Sequence, residues 1–173
     1  LAEEVIPYRD GGEGTVYDHI LRGLQFIERR RGPRGLPTLY HADWNDGLAL
    51  FMDEAAESVM LGQQMVYSCK ELQELALRLG RDADAVWCAD VAAELTAILN
   101  SDLVWDGGWY RRLLLSNGKF LGSDQCAEGK IFLNPQSWAV ISGIGDGGRG
   151  TWAMDAAGRM LDEGAFLSPD LSY

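Results

Sequence analysis

The sequence is poor in the features that mark several common classes of protein. Basic residues are few, since 15 Lys and Arg stand against 26 Asp and Glu, which gives a formal net charge of -11 at pH 7. This balance disfavours nucleic acid or an anionic membrane as a partner, because both attract basic surfaces. No apolar run approaches the roughly 20 residues that span a bilayer, so we expect a soluble chain without a membrane partner.

Cysteine is also scarce. Cys69, Cys88 and Cys126 are odd in number and widely spaced, which argues against a disulfide framework and against a zinc ribbon. We therefore assign them to packing, expect no metal site, and favour a reducing, cytoplasmic compartment. The chain begins without an initiator Met or a signal-peptide pattern, so we expect a segment that starts inside a longer protein.

Three amphipathic patterns in the first hundred residues predict helices. The first runs from an N-cap at Thr15 to about Arg31, the second from about Glu54 to Leu79, and the third from a cap at Asp82 to about Leu99. The third helix is expected to turn Val86, Ala89, Ala92, Leu95 and Leu99 inward. About three residues join the second and third helices, which predicts an antiparallel pair.

The helical periodicity of the sequence ends after residue 104. A strand-like run from Trp109 to Leu115, followed by Asn117 and Gly118, predicts a β-hairpin. Two further helices are predicted, one opening at Pro135 or Ser137 and one that Thr151 either opens or lies early in. The sequence thus predicts an all-α fold with elaborated loops and a small β-hairpin, in which residues 1–173 form a single unit without an internal linker.

The segment "GLPTLYHADWNDGLAL" is a predicted loop that holds acidic, amide and aromatic side chains close together in sequence. Asp43, Trp44, Asn45 and Asp46 stand together, and such a run suits neither a buried strand nor an amphipathic helix. Binding of a sugar would explain this combination of side chains, because a pyranose face stacks on an indole while its hydroxyl groups pair with Asp and Asn side chains. The alternative is that the polar residues only shape a turn and that Trp44 fills the core.

Cleavage of a glycosidic bond needs a carboxylic acid that protonates the leaving oxygen. An apolar aromatic neighbour keeps a carboxyl group protonated near neutral pH, since it disfavours the ion. Trp44 beside Asp46 supplies such a neighbour.

Long stretches of the chain resemble the cellobiose-phosphorylase-like family of inverting glycoside phosphorylases, glycoside hydrolase family 94. The resemblance rests on "VIPYRDGGEGTVYDHILRGL", the segment with "DWND", "ESVMLGQQMVYSCKELQELA", "WDGGWYRR" and "GSDQCAEGKIFLNPQSWAVISG", in this order. It implies part of an (α/α)6 barrel, a toroid of helical hairpins. It also implies that Asp46 is the general acid and that Trp44 lines the donor-sugar subsite.

The resemblance implies an enzyme, a glycoside phosphorylase of the glycosyltransferase type. Phosphate, as co-substrate, would attack the anomeric carbon of a β-linked glucose disaccharide or oligosaccharide, giving α-glucose 1-phosphate and a shortened acceptor. One protein acid is then enough, and no metal or organic cofactor is expected. The particular linkage stays open, because the apolar run "GLALFMDEAAESV" after "DWND" departs from the glycine-rich run that is usual in the family.

Further residues are candidates for contact with the sugar. Gln136, at a helix start, is the preferred one, ahead of Trp138. Glu128 is either a substrate contact or the base of an inverting hydrolase, an alternative reaction on the same scaffold, although an ordinary turn is slightly favoured. Trp105 and Trp109 are either platforms for a sugar or packing anchors, and the second interpretation is favoured because large aromatic residues beside glycines more often pack.

The phosphate site is the weakest part of the prediction. The arginines of "RRRGPRG" at positions 29, 30, 31 and 34 are interpreted as a solvated helix end rather than as an anion site. The resemblance instead implies a phosphate-binding histidine beyond Tyr173. The five or so helices counted cannot close a six-hairpin barrel, so we expect a wide apolar face that self-association or a complementing chain would cover. The isolated chain is expected to show weak phosphorolysis or none, and an inactive segment that only binds carbohydrate is the remaining alternative.

Overall fold

A computed structural model of the protein describes residues 3–9, 11–40, 44 and 54–162. The described part is mostly helical. Its five α-helices are α1 (Val16–Glu28), α2 (Val59–Arg78), α3 (Asp82–Leu99), α4 (Leu133–Ile141) and α5 (Arg149–Asp162), with a short 3-10 helix at Asp146–Gly148. None of the helices in this part of the chain is both long and apolar enough to cross a membrane.

Helix α1 begins where the sequence predicts it. Thr15 accepts a hydrogen bond from Asp18 N (3.1 Å), and the Asp18 carboxylate accepts one from Thr15 N (3.0 Å), which is a capping box. Strands β1 (Val5–Pro7) and β2 (Glu13–Thr15) form an antiparallel pair that leads into this cap. The helix ends at Glu28, three residues before the predicted end.

Helices α2 and α3 form the predicted antiparallel pair and carry most of the core. Gly62 near the start of α2 lies beside Leu99 at the end of α3, and a Cβ at Gly62 would stand 3.4 Å from a Leu99 methyl. The thiols of Cys69 and Cys88 meet in the middle of the pair, both fully buried. The three cysteines are free, which agrees with the assignment to packing.

The second helix starts later than its pattern predicts. Glu57–Ser58 is a two-residue strand, β3, which pairs with β4 (Leu113–Leu114); β4 pairs in turn with β5 (Phe120–Leu121). The β4–β5 hairpin confirms the Asn117–Gly118 prediction, and Gly118 has the left-handed φ of 81° that this turn requires. Sequence periodicity did not predict β3, because a two-residue strand is too short to show alternation.

Helix α4 lies against α2, and α5 packs on α4. Gln63 Nε2 donates to Pro135 O (2.9 Å), and Lys70 Nζ, two turns further along α2, donates to Ser142 O (2.7 Å). Helices α2 and α4 therefore begin at the same end of the molecule. The described residues on either side of positions 41–53 pair with each other just before α2, so they lie at this end as well.

Candidate active site

The predicted active-site loop is closed at its base by backbone pairing. Leu39 N donates to Ala56 O (2.6 Å) and Tyr40 N to Glu54 O (3.3 Å), so the segments that enter and leave residues 41–53 run side by side. Tyr40 has a φ of 53°, an uncommon left-handed conformation for a tyrosine. Such a backbone persists only where the surrounding structure enforces it, as it often does at functional sites.

A buried carboxylate fastens this base to the β-hairpin. Glu57 is fully buried; its Oε1 accepts from the backbone N–H groups of Arg34 (3.0 Å) and Leu36 (3.1 Å). Its Oε2 accepts from Arg34 Nε (2.5 Å). Arg34 Nη2 donates onward to the carbonyl oxygens of Leu114 (2.8 Å) and Leu115 (2.9 Å). One ion pair thus connects the segment before the loop, strand β3 after it and the β-hairpin.

A fully buried arginine lies at the start of α2. Arg112 is fully buried, and its Nη1 donates to Ser58 Oγ (3.2 Å) beside the first turn of that helix. Its backbone joins the same place, since Val59 N donates to Arg112 O (3.3 Å). The sequence analysis did not single out Arg112. The signal was a pair of arginines inside the apolar run "WYRRLLL", where a buried arginine needs fixed partners.

Trp44 is the member of the "DWND" motif that the structure describes. Its indole is 68% exposed, and its ring centroid lies 5.7 Å from that of Trp138 on α4, with the planes tilted by 46°. Trp138 in turn meets Tyr67 on α2 edge-on, at 6.1 Å. Trp44, Trp138 and Tyr67 form what we call the aromatic row. Asp43, Asn45 and Asp46 lie outside the described residues, as does His41.

An exposed indole that rests on other rings contradicts the alternative in which Trp44 fills the core. Aromatic pairs at this separation are favourable beyond their buried area, so Trp138 holds the Trp44 ring while leaving much of it open. Flat, open rings of this kind are the surfaces on which pyranose faces stack. The row therefore presents an open aromatic surface that includes Trp44, two residues before Asp46 in the sequence.

Gln136 has a different environment from Trp138, although both lie on α4. It is fully buried, its Oε1 accepts from Tyr110 N (2.8 Å), and its Nε2 donates to Tyr110 O (2.9 Å) and Phe132 O (2.9 Å). In this arrangement the amide binds the segment before β4 to the start of α4. Its predicted contact with sugar stays a prediction.

Glu128 lies exposed in the turn between β5 and α4. The turn is fixed at both sides, because Trp109 Nε1 donates to Gly122 O and to Lys130 O (both 3.0 Å). Asp124 within it pairs with Lys130 Nζ at 3.0 Å. This role of Trp109 confirms its interpretation as a packing anchor, and Trp105, edge-on to Tyr110 at 4.9 Å, packs likewise. The roles proposed for Glu128 as substrate contact or base stay predictions.

Asp106 also fixes the first part of this turn. Its Oδ2 accepts from Asp124 N (2.6 Å), and its Oδ1 accepts from Arg111 Nε (3.0 Å) and Nη2 (2.5 Å). Burial alone would raise the pKa of Asp106. The hydrogen bonds from Asp124 N and Arg111 outweigh it, so the pKa lies below its usual range.

Two of the four arginines after α1 depart from the solvated helix end that the sequence predicts, whereas Arg29 and Arg30 are exposed as predicted. Arg31 Nη2 forms an ion pair with Glu94 of α3, and Arg34 is held by the buried Glu57. The Arg30 guanidinium lies 3.5 Å from the centre of the Phe26 ring. The correction has a clear cause, since the chain turns back at Arg31 to pair with Pro37 and brings these side chains against acidic and aromatic partners.

Among the described residues, no group of three or more His, Cys, Asp or Glu side chains is arranged to hold a metal ion. The described part of the site consists of the aromatic row and of the paired segments on either side of residues 41–53.

These features belong to a known class of carbohydrate-active enzymes. The model of the glycosyl hydrolase 94 superfamily, catalytic domain, matches residues 1–169, and the chain belongs to this family. This agrees with the resemblance found in the sequence motifs.

Individual relatives are glycoside phosphorylases. The chain is 37% identical over 161 residues to N,N'-diacetylchitobiose phosphorylase from Vibrio proteolyticus, covering 92% of this chain and 20% of the relative. It is 33% identical over 162 residues to solabiose phosphorylase from Paenibacillus borealis, covering 92% and 21%. It is also 34% identical over 139 residues to 3-O-beta-D-glucopyranosyl-beta-D-glucuronide phosphorylase from Paenibacillus borealis, covering 78% and 18%. The chain thus spans about a fifth of the length of these relatives.

Proposed function

We propose that this chain is a segment of the catalytic domain of an inverting glycoside phosphorylase that acts on a β-linked glucose disaccharide or oligosaccharide. The observation that carries the proposal is the exposed Trp44 indole, supported by Trp138 and located two residues before Asp46. The named activities of the relatives point to the same class of reaction. The proposal includes an (α/α)6 barrel, to which the α2–α3 and α4–α5 pairs would contribute hairpins.

In the proposed reaction, Trp44 stacks on the donor sugar, and Asp43 and Asn45 bind its hydroxyl groups. Asp46, protonated, gives its proton to the glycosidic oxygen as the bond from that oxygen to the anomeric carbon breaks. The oxygen keeps the bonding electrons and leaves as the hydroxyl of the shortened acceptor, while Asp46 becomes a carboxylate.

Inorganic phosphate is the proposed nucleophile. One of its oxygens forms a new bond to the anomeric carbon from the face opposite the leaving group, which inverts the configuration and gives α-glucose 1-phosphate. Because phosphate replaces an activated water, the mechanism requires no second carboxylate as a base. Glu128 is then assigned to substrate binding.

A phosphate site needs cations or backbone amides with free donors. Arg31 and Arg34 are held by carboxylates, so we do not assign phosphate to them. We propose that the phosphate-binding groups lie in sequence beyond Tyr173, as the family resemblance implies.

The proposal is tested by an assay for α-glucose 1-phosphate. The protein that carries this chain is incubated with cellobiose, N,N'-diacetylchitobiose and other β-linked disaccharides, with and without phosphate, and the product is assigned by NMR. We expect a sugar 1-phosphate of α configuration that forms only with phosphate. Asp46→Asn should lower the rate by at least a hundredfold, the scale of general acid catalysis.

The matched control is Asp102→Asn, an exposed carboxylate between α3 and β4. It should leave the rate within twofold of the parent. Free sugar formed without phosphate, together with its loss in Glu128→Gln, would instead show a hydrolase. Full activity in Asp46→Asn would refute the assignment of the acid.

A further inference from the structure

A second cleft lies on the side of α5 that carries Trp152. Its volume is about 260 Å³, and it is lined by Trp152, Asp155 and Arg159 from α5 and by Gly107 and Gly108 from the loop before β4. It shares no residue with the aromatic row. All five residues belong to the part of the chain that the structure describes.

The helix displays its three side chains together. Trp152, Asp155 and Arg159 follow one another by three and four residues, so they lie along one face of α5. The alanines Ala153, Ala156 and Ala157 are buried on the other face, where they bring α5 close to the rest of the protein. The Trp152 indole is 58% exposed, so its placement is not explained by the core.

The facing wall is free of side chains. Gly107 has a φ of 80°, which explains glycine there by backbone conformation. Gly108 has no such φ, and a Cβ built on it would meet nothing within 4 Å. Neither backbone conformation nor internal packing requires glycine at position 108, and the effect of its missing side chain is to leave the space in front of Trp152 open.

The loop that carries these glycines is held in place. Asp106 N donates to Trp109 O (2.9 Å) across the Gly–Gly turn, and the Trp109 indole is fixed by its two hydrogen bonds to backbone carbonyls. Because the cleft is preformed, a ligand need not order the loop, which lowers the entropic cost of binding.

Within the described part of the chain, the two charged side chains of the cleft have no partners. Asp155 and Arg159 are four residues apart on α5, yet neither makes a side-chain hydrogen bond or ion pair among the described residues. A carboxylate and a guanidinium can each bind two neighbouring hydroxyl groups. Their charges cancel, and the chain carries a net charge of -11, so the cleft does not favour an anion.

We propose that this cleft binds one pyranose ring of a neutral saccharide, as a site separate from the aromatic row. The ring stacks its apolar face on Trp152, and its hydroxyl groups pair with Asp155 and Arg159, while Gly108 gives it room. The inference does not depend on phosphorolysis, since it concerns binding alone. In a glucan-processing protein, such a site would hold part of an oligosaccharide away from the reacting bond.

The test measures saccharide binding in the absence of phosphate. Cellotetraose and laminaritetraose are titrated by calorimetry and by saturation-transfer NMR into the Trp44→Ala variant, in which the aromatic row is disabled. We expect binding to persist there and to weaken at least tenfold when Trp152→Ala is added.

Asp155→Ala and Arg159→Ala should each weaken it severalfold, because each removes hydrogen bonds to a charged group. Gly108→Leu, which fills the open space, should block binding without removing any donor or acceptor.

Leu77→Ala is the matched control, since Leu77 on α2 is a similarly exposed apolar side chain at 57%. It should leave binding unchanged, and circular dichroism verifies that every variant is folded. An affinity that Trp152→Ala leaves unaltered, or no binding at all in Trp44→Ala, would overturn the proposal. So would sedimentation showing that Trp152→Ala dissolves an oligomer of the unliganded chain, because the indole would then be a contact between copies. Failure of the phosphorolysis assay leaves this binding result unaffected.

Discussion

Arg34 Nε lies 2.5 Å from Oε2 of Glu57, a carboxylate that is fully buried between the two ends of the loop carrying Trp44. Glu57 also accepts two backbone hydrogen bonds, so both of its carboxylate oxygens have partners at the base of the loop. The same site explains Gly32, because a Cβ there would stand 2.5 Å from the Glu57 carboxyl carbon. The base of the candidate active site is therefore built around one charged group.

Glu57→Gln should destabilise the protein by about 3 kcal/mol, because it leaves the Arg34 guanidinium partly buried without its counter-charge. The free energy of unfolding from urea titration measures this. The control is Glu74→Gln, whose ion pair with Arg78 is exposed at both partners (72% and 77%) and should change stability by less than about 0.5 kcal/mol. Equal effects of the two substitutions would contradict the role given to Glu57.

Asp18 should make the protein sensitive to acid. Its hydrogen bonds with the Thr15 side chain and backbone, and then with Arg81, lower its pKa from 3.8 to about 2. A depressed folded-state pKa stabilises the fold above about pH 4, and this contribution is lost as the pH falls from about 4 to 2. Urea titrations at pH 5, 3 and 2 should therefore show a steeper loss of stability in the parent than in Asp18→Asn. Parallel pH profiles would refute this.

The close approach of α2 and α3 depends on Gly62. A Cβ there would lie 3.1 Å from Leu36 Cδ2 and 3.4 Å from Leu99 Cδ2, both in the core. Gly62→Val should destabilise the protein by about 2 kcal/mol through overpacking. Gly23→Ala in α1 is the matched control, because a Cβ there meets nothing within 4 Å. It should stabilise the helix by about 0.5 to 1 kcal/mol. Thermal unfolding that moved in the same direction for both would contradict this reading.

The helices were predictable because each carries a strong local signal. Thr15 with Asp18 three residues on marks the start of α1, and the Asn117–Gly118 turn marks the hairpin. Features that depend on tertiary contacts, such as which face of a helix is buried, were not predictable from the sequence. The sequence placed Val86 inward, yet it is 60% exposed, because Ala85 and Cys88 face α2 instead. At its start, the predicted buried face of α3 is shifted by one residue from the observed one, and only the packing against α2 decides between the two.

The candidate site was predictable as a motif but not as an arrangement. The "DWND" run pointed to Trp44 and Trp138 was a weaker candidate for sugar contact, but the sequence did not indicate that the two rings, 94 positions apart, would lie against each other. Periodicity could not separate Gln136 from Trp138 either, since both follow Pro135 at the start of α4. Arg34 likewise seemed to belong to a solvated cluster, because its partner Glu57 is brought close only by the pairing of two distant segments.

The cysteines should differ sharply in reactivity. Burial raises the pKa of Cys69 to about 12 and also raises the pKa of Cys88, so neither forms a thiolate readily. Cys126 is only partly buried. At pH 8, a disulfide reagent such as DTNB should label about one thiol quickly in the native protein and all three in concentrated urea. Cys126→Ser should remove the fast phase; rapid labelling of two or more native thiols would show that the α2–α3 pair opens.

Trp138 should contribute to sugar binding through Trp44. Its ring holds the exposed indole at 5.7 Å, and such an aromatic pair is worth about 0.5 to 1.5 kcal/mol. Trp138→Ala should therefore weaken binding of the preferred saccharide by about twofold to tenfold, the fold-change equivalent to that free energy. Trp138→Phe, which keeps a ring against Trp44, should recover most of the loss.

A double-mutant cycle distinguishes this indirect role from a direct contact. If Trp138 acts by holding Trp44, then Trp138→Ala should cost little more in a protein that already carries Trp44→Ala, and the two effects will be strongly non-additive. If Trp138 binds sugar by itself, the two losses will add. Calorimetric dissociation constants for the four proteins decide between these outcomes. The first outcome would assign substrate affinity to the preorganisation of a single exposed indole, because the rest of the row would act only through its position.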